Sequence, residues 1–409
     1  MTLPQSKMEM ISKIAQEYSL VFICFEDILQ NNIERLKISA NNYLKLSLFY
    51  SYKTNWLPGI CKVIHKNGVG AEVVSGFELW LARLLKVPNE QIIFNGPCKT
   101  SEELKEASNP GIGCLNIDSL SEFNRLLNTW NGNSPGNLGI RITPEKIRDM
   151  QVFGILSSDY NTIDKIVETA IKNNFNLKLL HTHIAHYLNY KEMCIYACEE
   201  LIKVLAYLYK KYNIFIKNID LGGGLNPILL GEDKGCFSDC ENFFATVSKI
   251  FEKELLKHSL PYLIPNLILE PGRFIVNNAV MLLTTIHALK EVDNQHIAVL
   301  DAGTNILGTP HEDIIPISTT SSNKTILYRL VGPLCFPGDT VAISVKLPPV
   351  NIGDSLLILN CGAYSLSNSW QFIKTRPPVI LVTNNDEIKI IREKERYEDM
   401  IALDRYDNL

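Results

Sequence analysis

The stretch Leu44–Asn55 reads LKLSLFYSYKTN and decides the fold of the chain. Leucine and tyrosine alternate there with lysine, serine and phenylalanine, and this period of two predicts a strand with one apolar and one mixed face. Lys53 lies on the mixed face at the strand's end, and Ser47 and Ser51 on that face leave room for a large group. A lysine desolvated there becomes a usable amine for a Schiff base with an aldehyde. Most lysines at strand ends are solvated, so the rest of the chain has to decide between the two interpretations.

Strands and helices alternate from this stretch onward. We predict further strands at Ala71–Ser75, Gln91–Asn95, Gly113–Ile117, Leu138–Ile142, Lys178–His183, Lys217–Leu221 and Leu267–Glu270. We predict helices between them at Leu57–His65, Gly76–Leu85, Ser101–Ala107, Ser119–Asn128, Asn161–Asn173, Lys191–Tyr212 and Cys240–His258. Eight strands alternating with helices predict an α/β fold of the (β/α)8 TIM-barrel type, although a doubly wound open sheet alternates in the same way.

The positions of the candidate catalytic and binding residues favour the barrel. Lys53, Arg141, His183, the glycines from Gly222 onward and Glu270 each end a different predicted strand. Barrels build their active sites from the carboxyl ends of several strands, whereas an open sheet concentrates them at one switch point. We therefore expect these side chains at one mouth of a barrel.

The pattern changes after Arg273. Short β runs separated by Gly, Pro, Asp and Asn follow, with little helix between them. They lie at Val280–Ile286, Ile297–Leu300, Ile326–Val331, Thr340–Val345, Leu356–Leu359 and Val379–Val382. We predict a barrel domain at 27–276 and an all-β domain formed by 1–26 and 277–409.

Composition excludes several classes of protein. The chain has 409 residues, 46% of them hydrophobic, and a net charge of −4 with interspersed signs, which leaves no basic surface for nucleic acid. Met1–Tyr18 reads as an amphipathic helix rather than a signal peptide, and no apolar run is long enough to span a membrane. The ten cysteines include no Cys-x-x-Cys pair. We expect reduced thiols, a cytoplasmic location, and neither nucleic acid nor membrane as a partner.

Two motifs follow predicted strands and suit an anion. Gly222-Gly223-Gly224 lets the backbone turn sharply and point N–H groups at a phosphate, although a flexible turn has the same composition. Glu270-Pro271-Gly272-Arg273 offers a carboxylate that can hold a ring nitrogen protonated, or a surface turn with an ion pair.

His181-Thr182-His183 puts two imidazoles on one face of a strand. No cysteine or carboxylate cluster stands nearby in sequence, so we predict core packing or stacking on a flat ligand and no metal site. Cys335 lies in a Pro/Gly loop and is a candidate acid or nucleophile, or else an inert thiol. Tyr364 follows a predicted strand and is either a ligand for the same anion as the glycines or a packed side chain.

In their order and combination these motifs resemble the fold type III pyridoxal-phosphate decarboxylases, the family of diaminopimelate and ornithine decarboxylases. The matching segments are Tyr52-Lys53-Thr54-Asn55, Ser75-Gly76-Phe77-Glu78-Leu79, His181-Thr182-His183-Ile184, Gly222-Gly223-Gly224, Glu270-Pro271-Gly272-Arg273, Gly332-Pro333-Leu334-Cys335 and Gly362-Ala363-Tyr364. The resemblance implies a carboxy-lyase with pyridoxal 5'-phosphate as cofactor, in an alanine racemase-like barrel with a C-terminal β domain that carries the cysteine loop.

The resemblance also implies a role for each matching residue. It makes Lys53 the Schiff-base lysine, His183 the imidazole stacked on the cofactor ring, and Glu270 the partner of the pyridinium nitrogen. Arg141 would lie close to the ring. The implied phosphate ligands are Gly222, Gly223, Gly224, Gly272 and Tyr364.

Two further implied roles concern the substrate side of the site. Arg273 would bind either the phosphate or a substrate carboxylate. Cys335 would be the acid that reprotonates the α-carbon, and in the family it enters the site from the partner subunit. The resemblance therefore implies a homodimer with shared active sites.

The chain departs from the diaminopimelate decarboxylase pattern where the substrate is recognised. Phe336 stands where those enzymes carry an acidic residue, and the segment 304–311 lacks their arginine and tyrosine. Ala185-His186 replaces the usual Gly-Ser. Charge-assisted hydrogen bonds contribute about 1.5–3 kcal/mol each, so a small zwitterionic diacid should lose much affinity.

These departures resemble the family's secondary-metabolism branch. We therefore predict decarboxylation of a modified or conjugated amino acid, such as a siderophore intermediate or an aminoacyl group on a carrier protein. The alternatives are meso-diaminopimelate decarboxylase, a racemase, which needs a second base that the sequence does not supply, and a catalytically dead pyridoxal-binding regulatory homologue.

Overall fold

The computed structural model describes residues 3–109, 111–130, 136–150, 152–184, 189–225, 237–261, 264–317 and 324–405. Within them the strands, numbered in chain order, are β1 (Val21–Phe25), β2 (Leu46–Ser51), β3 (Gly70–Val73), β4 (Ile92–Phe94), β5 (Cys114–Ile117), β6 (Asn137–Thr143), β7 (Ile155–Leu156), β8 (Asn176–His181), β9 (Asn218–Asp220), β10 (Asn266–Leu269), β11 (Val280–Val292), β12 (Gln295–Leu300), β13 (Ile314–Pro316), β14 (Ile326–Val331), β15 (Thr340–Leu347), β16 (Ser355–Ile358), β17 (Val379–Val382) and β18 (Ile388–Arg392).

Most barrel helices begin at a polar cap that accepts a backbone N–H. The α-helices are α1 (Gln5–Glu17), α2 (Glu26–Ala40), α3 (Pro58–Lys66), α4 (Gly76–Leu84), α5 (Ser101–Ser108), α6 (Leu120–Thr129), α7 (Tyr160–Lys172), α8 (Tyr190–Tyr212), α9 (Cys240–Lys257), α10 (Arg273–Val276), α11 (Thr304–Leu307) and α12 (Tyr397–Met400). Ser75, Ser119, Asp159 and Asp239 cap α4, α6, α7 and α9, and Thr100 forms a capping box with Glu103 at α5.

Eight parallel strands close into a barrel. They pair in the order β2-β3-β4-β5-β6-β8-β9-β10, and β10 pairs with β2 to complete the ring. Most strand residues are buried, as expected when helices cover the outside and side chains fill the inside. All eight predicted strands are present, so the barrel prediction is confirmed and the open sheet is excluded.

The strand that carries Lys53 is shorter than its alternation predicts. β2 ends at Ser51, and Tyr52–Thr54 form one 3-10 turn. Tyr52 is fully buried and its hydroxyl lies 2.6 Å from Nε2 of His65 on α3, so its side chain stays in the core while the backbone leaves the sheet. Lys53 therefore lies on the turn just beyond the strand, and the prediction of a strand through Asn55 is wrong.

The chain divides into two compact units. The first comprises Gln30–Lys53 and Ile60–Phe274 and contains the barrel; the second comprises Met1–Leu29, Thr54–Gly59 and Ile275–Leu409. The predicted boundaries at 26/27 and 276/277 stay predictions for separately folding domains, because compactness alone does not test them.

The second unit is built on a mixed β-sheet. Its order is β15-β14-β12-β11-β1-β17-β18, with β16 pairing β11 and β13. The N-terminal strand β1 lies in the middle, antiparallel to β11 and parallel to β17. Ile11 and Ile14 of α1 pack with residues of β1, β11, β16 and β17 in its core. The prediction of an all-β domain thus holds for the sheet but omitted this helix from the core.

Among the described residues, no helix combines the length and the apolarity that crossing a membrane requires.

Candidate active site

The register of the barrel brings functional residues to one mouth. Arg141 on β6 is the neighbour of His181 on β8, and His181 is the neighbour of Asp220 on β9. Across the ring, Ser51 at the end of β2 is the neighbour of Glu72 on β3. Residues that are far apart in sequence thus share one layer at the carboxyl ends of the strands.

Glu270 lies just beyond β10 and is buried. Its Oε1 accepts a hydrogen bond of 2.6 Å from Nδ2 of Asn95, and its Oε2 lies 3.7 Å from Nε2 of His181. Burial acts to raise the pKa of Glu270, but its interactions with nearby His181 and Asp220 outweigh burial and hold the pKa well below its usual range. Glu270 is therefore an ionised carboxylate in the barrel interior.

The neighbouring carboxyl of Asp220 behaves in the opposite way. Burial and the charge of Glu270 raise the pKa of Asp220 far above its ordinary value. Its Oδ1 accepts the backbone N–H of Gly222 at 2.8 Å, which fixes the start of the glycine turn. Two adjacent carboxyls thus differ in charge, as a pair of buried like charges requires.

His183 stands against the glycine turn. The N–H of Gly223 lies 3.3 Å from its Nδ1, and a Cβ at Gly222 would come within 2.6 Å of the same atom. Gly222 has φ +67° and Gly224 φ +93°, so the turn needs glycine at both positions. Burial and the positive charge of Lys53 lower the pKa of His183 to about 3, which keeps the imidazole neutral.

Lys53 lies among carboxyl groups of the barrel. Its charge acts on Glu72 and Glu78 as well as on His183. Burial, with a further contribution from Glu270, raises the pKa of Glu72. Burial followed by the charge of Glu72 raises the pKa of Glu78 to about 7.

Arg141 makes an ion pair with Asp118, with 3.1 Å between Nη1 and Oδ1, and both side chains are largely buried. Gly272 is buried and Arg273, partly exposed, begins α10, so both follow Glu270 in the same unit. His186 and Ala185 lie outside the described residues.

His181, His183 and Glu270 place possible metal-ligand atoms within 4.8 Å of one another. No carboxylate cluster lies near the two histidines in sequence, which favoured packing or stacking over a metal. The fold nevertheless brings a carboxylate to them, because Glu270 follows His183 by 87 residues. Two of these three groups are those that the family resemblance gives to the cofactor ring, so the absence of a metal stays a prediction.

Three buried polar residues of this site escaped sequence analysis. Glu72 and Asn116 lie one residue before the ends of β3 and β5, Asn95 directly follows β4, and all three are buried. Asn95 donates to both Glu72 and Glu270, and Asn116 donates to Asn95. The available signal was a polar residue at the carboxyl end of each buried strand, the same position that identified Lys53 and Glu270.

Cys335, Phe336 and Tyr364 belong to the second unit. Buried Asp339 organises the cysteine loop: its carboxylate accepts the backbone N–H groups of Leu334 at 2.7 Å and Thr304 at 2.8 Å. Cys335 is exposed and has φ +60°, a left-handed conformation that is uncommon for a residue other than glycine. The loop thus presents the thiol outward on a fixed backbone.

An exposed aromatic cluster adjoins this cysteine. The rings of Phe336 and Phe372 have centroids 6.4 Å apart, and those of Phe372 and Trp370 are 5.8 Å apart. The three residues are 41%, 52% and 43% exposed. Exposed aromatic clusters of this kind mark surfaces that bind a partner or a ligand.

Comparison with known proteins agrees with this geometry. Residues 29–277 match the family model described as "Pyridoxal-dependent decarboxylase, pyridoxal binding domain". The chain is 30% identical over 388 residues to the diaminopimelate decarboxylase of Aquifex aeolicus, which spans 90% of this chain and 88% of that protein. It is 25% identical to the L-glutamyl-[BtrI acyl-carrier protein] decarboxylase of Niallia circulans, over 96% of this chain and 95% of that one.

The fold comparison points the same way. The crystal structure of the M. jannaschii diaminopimelate decarboxylase with L-lysine superposes with a TM-score of 0.87 at 28% identity. It covers 97% of this chain and 94% of that one. The predicted barrel with a second β-sheet domain is thus confirmed as the architecture of that enzyme.

Proposed function

The chain belongs to the fold type III pyridoxal-dependent decarboxylases, and from this premise we propose that it releases CO2 from the α-carbon of a diamino acid of the diaminopimelate type. The observation that carries this choice of substrate is similarity to diaminopimelate decarboxylases over nine-tenths of the chain. The cofactor of the family is pyridoxal phosphate, and the enzyme class is carboxy-lyase.

The described residues of the barrel fit this cofactor. Glu270 is an ionised, buried carboxylate, as a partner for a protonated ring nitrogen must be. Both ring nitrogens of buried His181 lack a hydrogen-bond partner among the described residues. The turn Gly222–Gly224 packs so closely on His183, Glu270 and Ile184 that a Cβ at any of its three positions would collide with them, so only glycine leaves its N–H groups free of side chains. When bound, pyridoxal phosphate supplies an electron sink for the charge that CO2 leaves behind.

The chain's own residues then have distinct tasks. Lys53 holds the aldehyde through its amine, and neutral His183 offers a flat, uncharged face for stacking. The N–H groups of the glycine turn, with Gly272 and Tyr364, bind phosphate. Arg141, held by Asp118, stays fixed near the ring. Arg273 binds either phosphate or the substrate carboxylate.

Cys335 delivers a proton to the α-carbon, from the partner subunit of a homodimer. Its exposure, its fixed loop and the aromatic cluster beside it support this arrangement. A direct test mixes the variants Lys53→Ala and Cys335→Ala, each inactive alone. If sites are shared, random dimer exchange restores about a quarter of wild-type activity, because half the dimers are mixed and each carries one intact site. No recovery in mixed dimers would contradict a shared site.

A second candidate substrate is a conjugated amino acid, such as one linked to a carrier protein. Phe336, Phe372 and Trp370 present an uncharged aromatic surface beside the proposed acid. This surface cannot supply the charge-assisted hydrogen bonds that a free ammonium group and a distal carboxylate would gain. The similarity to a carrier-protein decarboxylase supports the same candidate.

One assay separates the candidates. CO2 release is measured with meso-diaminopimelate, ornithine, lysine and a carrier-linked glutamyl group, with wild type beside Lys53→Ala. Turnover of free meso-diaminopimelate supports the first candidate, and turnover of the conjugate alone supports the second. If the protein binds pyridoxal phosphate but releases CO2 from none of these substrates, then both substrate proposals are wrong and the catalytically dead regulatory-homologue alternative stands.

The variant Phe336→Glu sharpens the choice. In a diaminopimelate enzyme a new carboxylate here should improve KM for the free diamino acid by about tenfold, as one charge-assisted hydrogen bond allows. In an enzyme for conjugates it should impair turnover of the conjugate instead. Ile343→Glu, an exposed change on β15 of the same unit, controls for added charge.

A further inference from the structure

The barrel interior holds more carboxyl groups than the tasks above require. Glu72, Asp220 and Glu270 are all buried within one layer of the strand ends. Glu270 has a predicted partner in the cofactor ring and Asp220 fixes the glycine turn, whereas Glu72 has no assigned task. Two buried carboxyls this close repel each other whenever both are ionised, and Glu270 contributes to the raised pKa of Glu72, so a polar group is needed between them.

Asn95 lies between these two carboxyls. Its single amide nitrogen, Nδ2, donates to Oε1 of Glu270 at 2.6 Å and to Oε1 of Glu72 at 3.0 Å. An amide nitrogen carries two hydrogens, so both are used. The opposite oxygen of Glu72 accepts the hydroxyl of Ser51. Each carboxyl is thus anchored by a donor that faces it.

A further hydrogen bond, from Asn116, fixes the orientation of the Asn95 amide. Its Oδ1 accepts Nδ2 of Asn116 at 2.6 Å. A flipped amide would point its oxygen at two carboxyls and its nitrogen at another donor, so only one orientation satisfies the hydrogen bonds. The backbone of Asn116 is itself held, because its main-chain carbonyl oxygen accepts a hydrogen bond of 2.9 Å from Nζ of buried Lys99.

We propose that Asn95 is a positioning residue for the cofactor. By bridging Glu72 and Glu270 with one amide nitrogen, it fixes the carboxylate that faces the ring nitrogen and prevents the two carboxyls from separating. The inference rests on the role of Glu270 and not on which amino acid is the substrate. Glu72 then has the task of anchoring the Asn95 amide, through its own hydrogen bond from Nδ2 of Asn95.

An exchange of polarity between positions 95 and 72 tests the bridge. Asn95→Asp alone adds a carboxylate and removes both donated hydrogens. The double variant Asn95→Asp/Glu72→Gln restores the net charge, and its new amide at position 72 can accept from Ser51 and donate to the new carboxylate at position 95. It leaves Glu270 facing a carboxylate in place of a donor. Asn218→Asp, at the opposite end of barrel strand β9, makes the same chemical change away from the site.

The measurements are the dissociation constant of pyridoxal phosphate, from its absorbance and the quenching of protein fluorescence, and the thermal unfolding temperature of the cofactor-free protein. We expect Asn95→Asp to weaken cofactor binding by about tenfold or more, the value of one charge-assisted hydrogen bond. The double variant should regain thermal stability without regaining affinity. Glu72→Gln alone should bind nearly as wild type, because Asn95 keeps both bonds.

Two results would overturn the inference. Wild-type affinity in Asn95→Asp/Glu72→Gln would mean that charge, and not the bond to Glu270, matters. Equal effects of Asn95→Asp and Asn218→Asp would mean that the change acts on the barrel in general. Glu270→Gln separates the premise from the inference: if it binds the cofactor as tightly as wild type, then the role of Glu270 is wrong and that of Asn95 fails with it.

Discussion

The buried ion pair of Lys99 and Glu122 gives a sharp prediction about stability. Both side chains are fully buried, and Nζ lies 2.7 Å from Oε1. The three ammonium hydrogens are all used, on Glu122 and on the carbonyl oxygens of Gly96 and Asn116. Oε2 of Glu122 has no hydrogen-bond partner among the described residues, so Lys99 is the main support of that charge.

Lys99→Met fills similar space but leaves Glu122 buried without its cation. Removal of one partner of a buried pair costs about 3–5 kcal/mol, because the remaining charge keeps its desolvation penalty. Burial already raises the pKa of Glu122, and loss of Lys99 raises it further. The folded state then binds a proton more tightly than the unfolded state, so the loss should be smaller at pH 5 than at pH 8.

Urea unfolding followed by tryptophan fluorescence and circular dichroism measures this loss, with m-values compared between variants. The matched control is Lys99→Met/Glu122→Leu, which removes both charges and should recover most of the stability. The reasoning is refuted if Lys99→Met costs less than about 1 kcal/mol at pH 8, or if the double variant is no more stable than the single one.

Three further predictions concern single groups of the barrel. The pKa of Glu78 is raised to about 7, so in the folded protein this group keeps a proton that it loses near pH 4.5 in the unfolded chain. The free energy of unfolding should therefore fall as pH rises between these two values, and in urea unfolding the variant Glu78→Gln should lack this pH dependence. Gly222→Ala should weaken pyridoxal phosphate binding by about tenfold or more, since its Cβ would collide with His183. Gly68→Ala is the control: Gly68 also has a positive φ, +72°, but no described atom lies within 4 Å of its Cβ, so this variant should bind the cofactor normally. With its pKa lowered to about 3, His183 should show no NMR titration between pH 5 and 9 in the cofactor-free protein; a midpoint near 6.5 would contradict its burial beside Lys53.

The barrel was predictable because its signals are local. Parallel strands covered on both faces read as short apolar runs, and the helices between them carry an apolar stripe. Each element can therefore be recognised from about a dozen consecutive residues. β3 and α4, for example, are observed within two residues of their predicted bounds. The same local reading identified Lys53, Arg141, His183 and Glu270, because each is a polar residue at the carboxyl end of a predicted buried strand.

Elements without such a signal were missed. β7 is only two residues long, and β18 (Ile388–Arg392) has an exposed, mixed composition. β11 continues to Val292, six residues beyond its predicted end, because its second half is a polar hairpin arm. Asp293 and Asn294 turn that hairpin with φ +51° and +62°, a pair of left-handed residues that asparagine and aspartate tolerate.

The bridge at Asn95 was beyond sequence analysis for a different reason. Asn95 and Glu270 are 175 positions apart and meet only because the ring closes between β2 and β10. In a linear reading, Asn95, Asn116 and Glu72 are three ordinary polar residues at strand ends. The hydrogen bonds between them depend on the register of four strands, which no local sequence pattern predicts.

The division of the chain suggests how substrate choice can change without loss of the cofactor. The hydrogen bonds that fix Glu270, Asn95 and the glycine turn all lie within the barrel unit. The cysteine loop is fixed separately, by Asp339 of the other unit. A change at Phe336 breaks none of the barrel bonds. Pyridoxal phosphate affinity should therefore be the same in Phe336→Glu and wild type, even where their substrate preference differs; a Phe336→Glu protein with weakened cofactor binding would show that the two tasks are not separable.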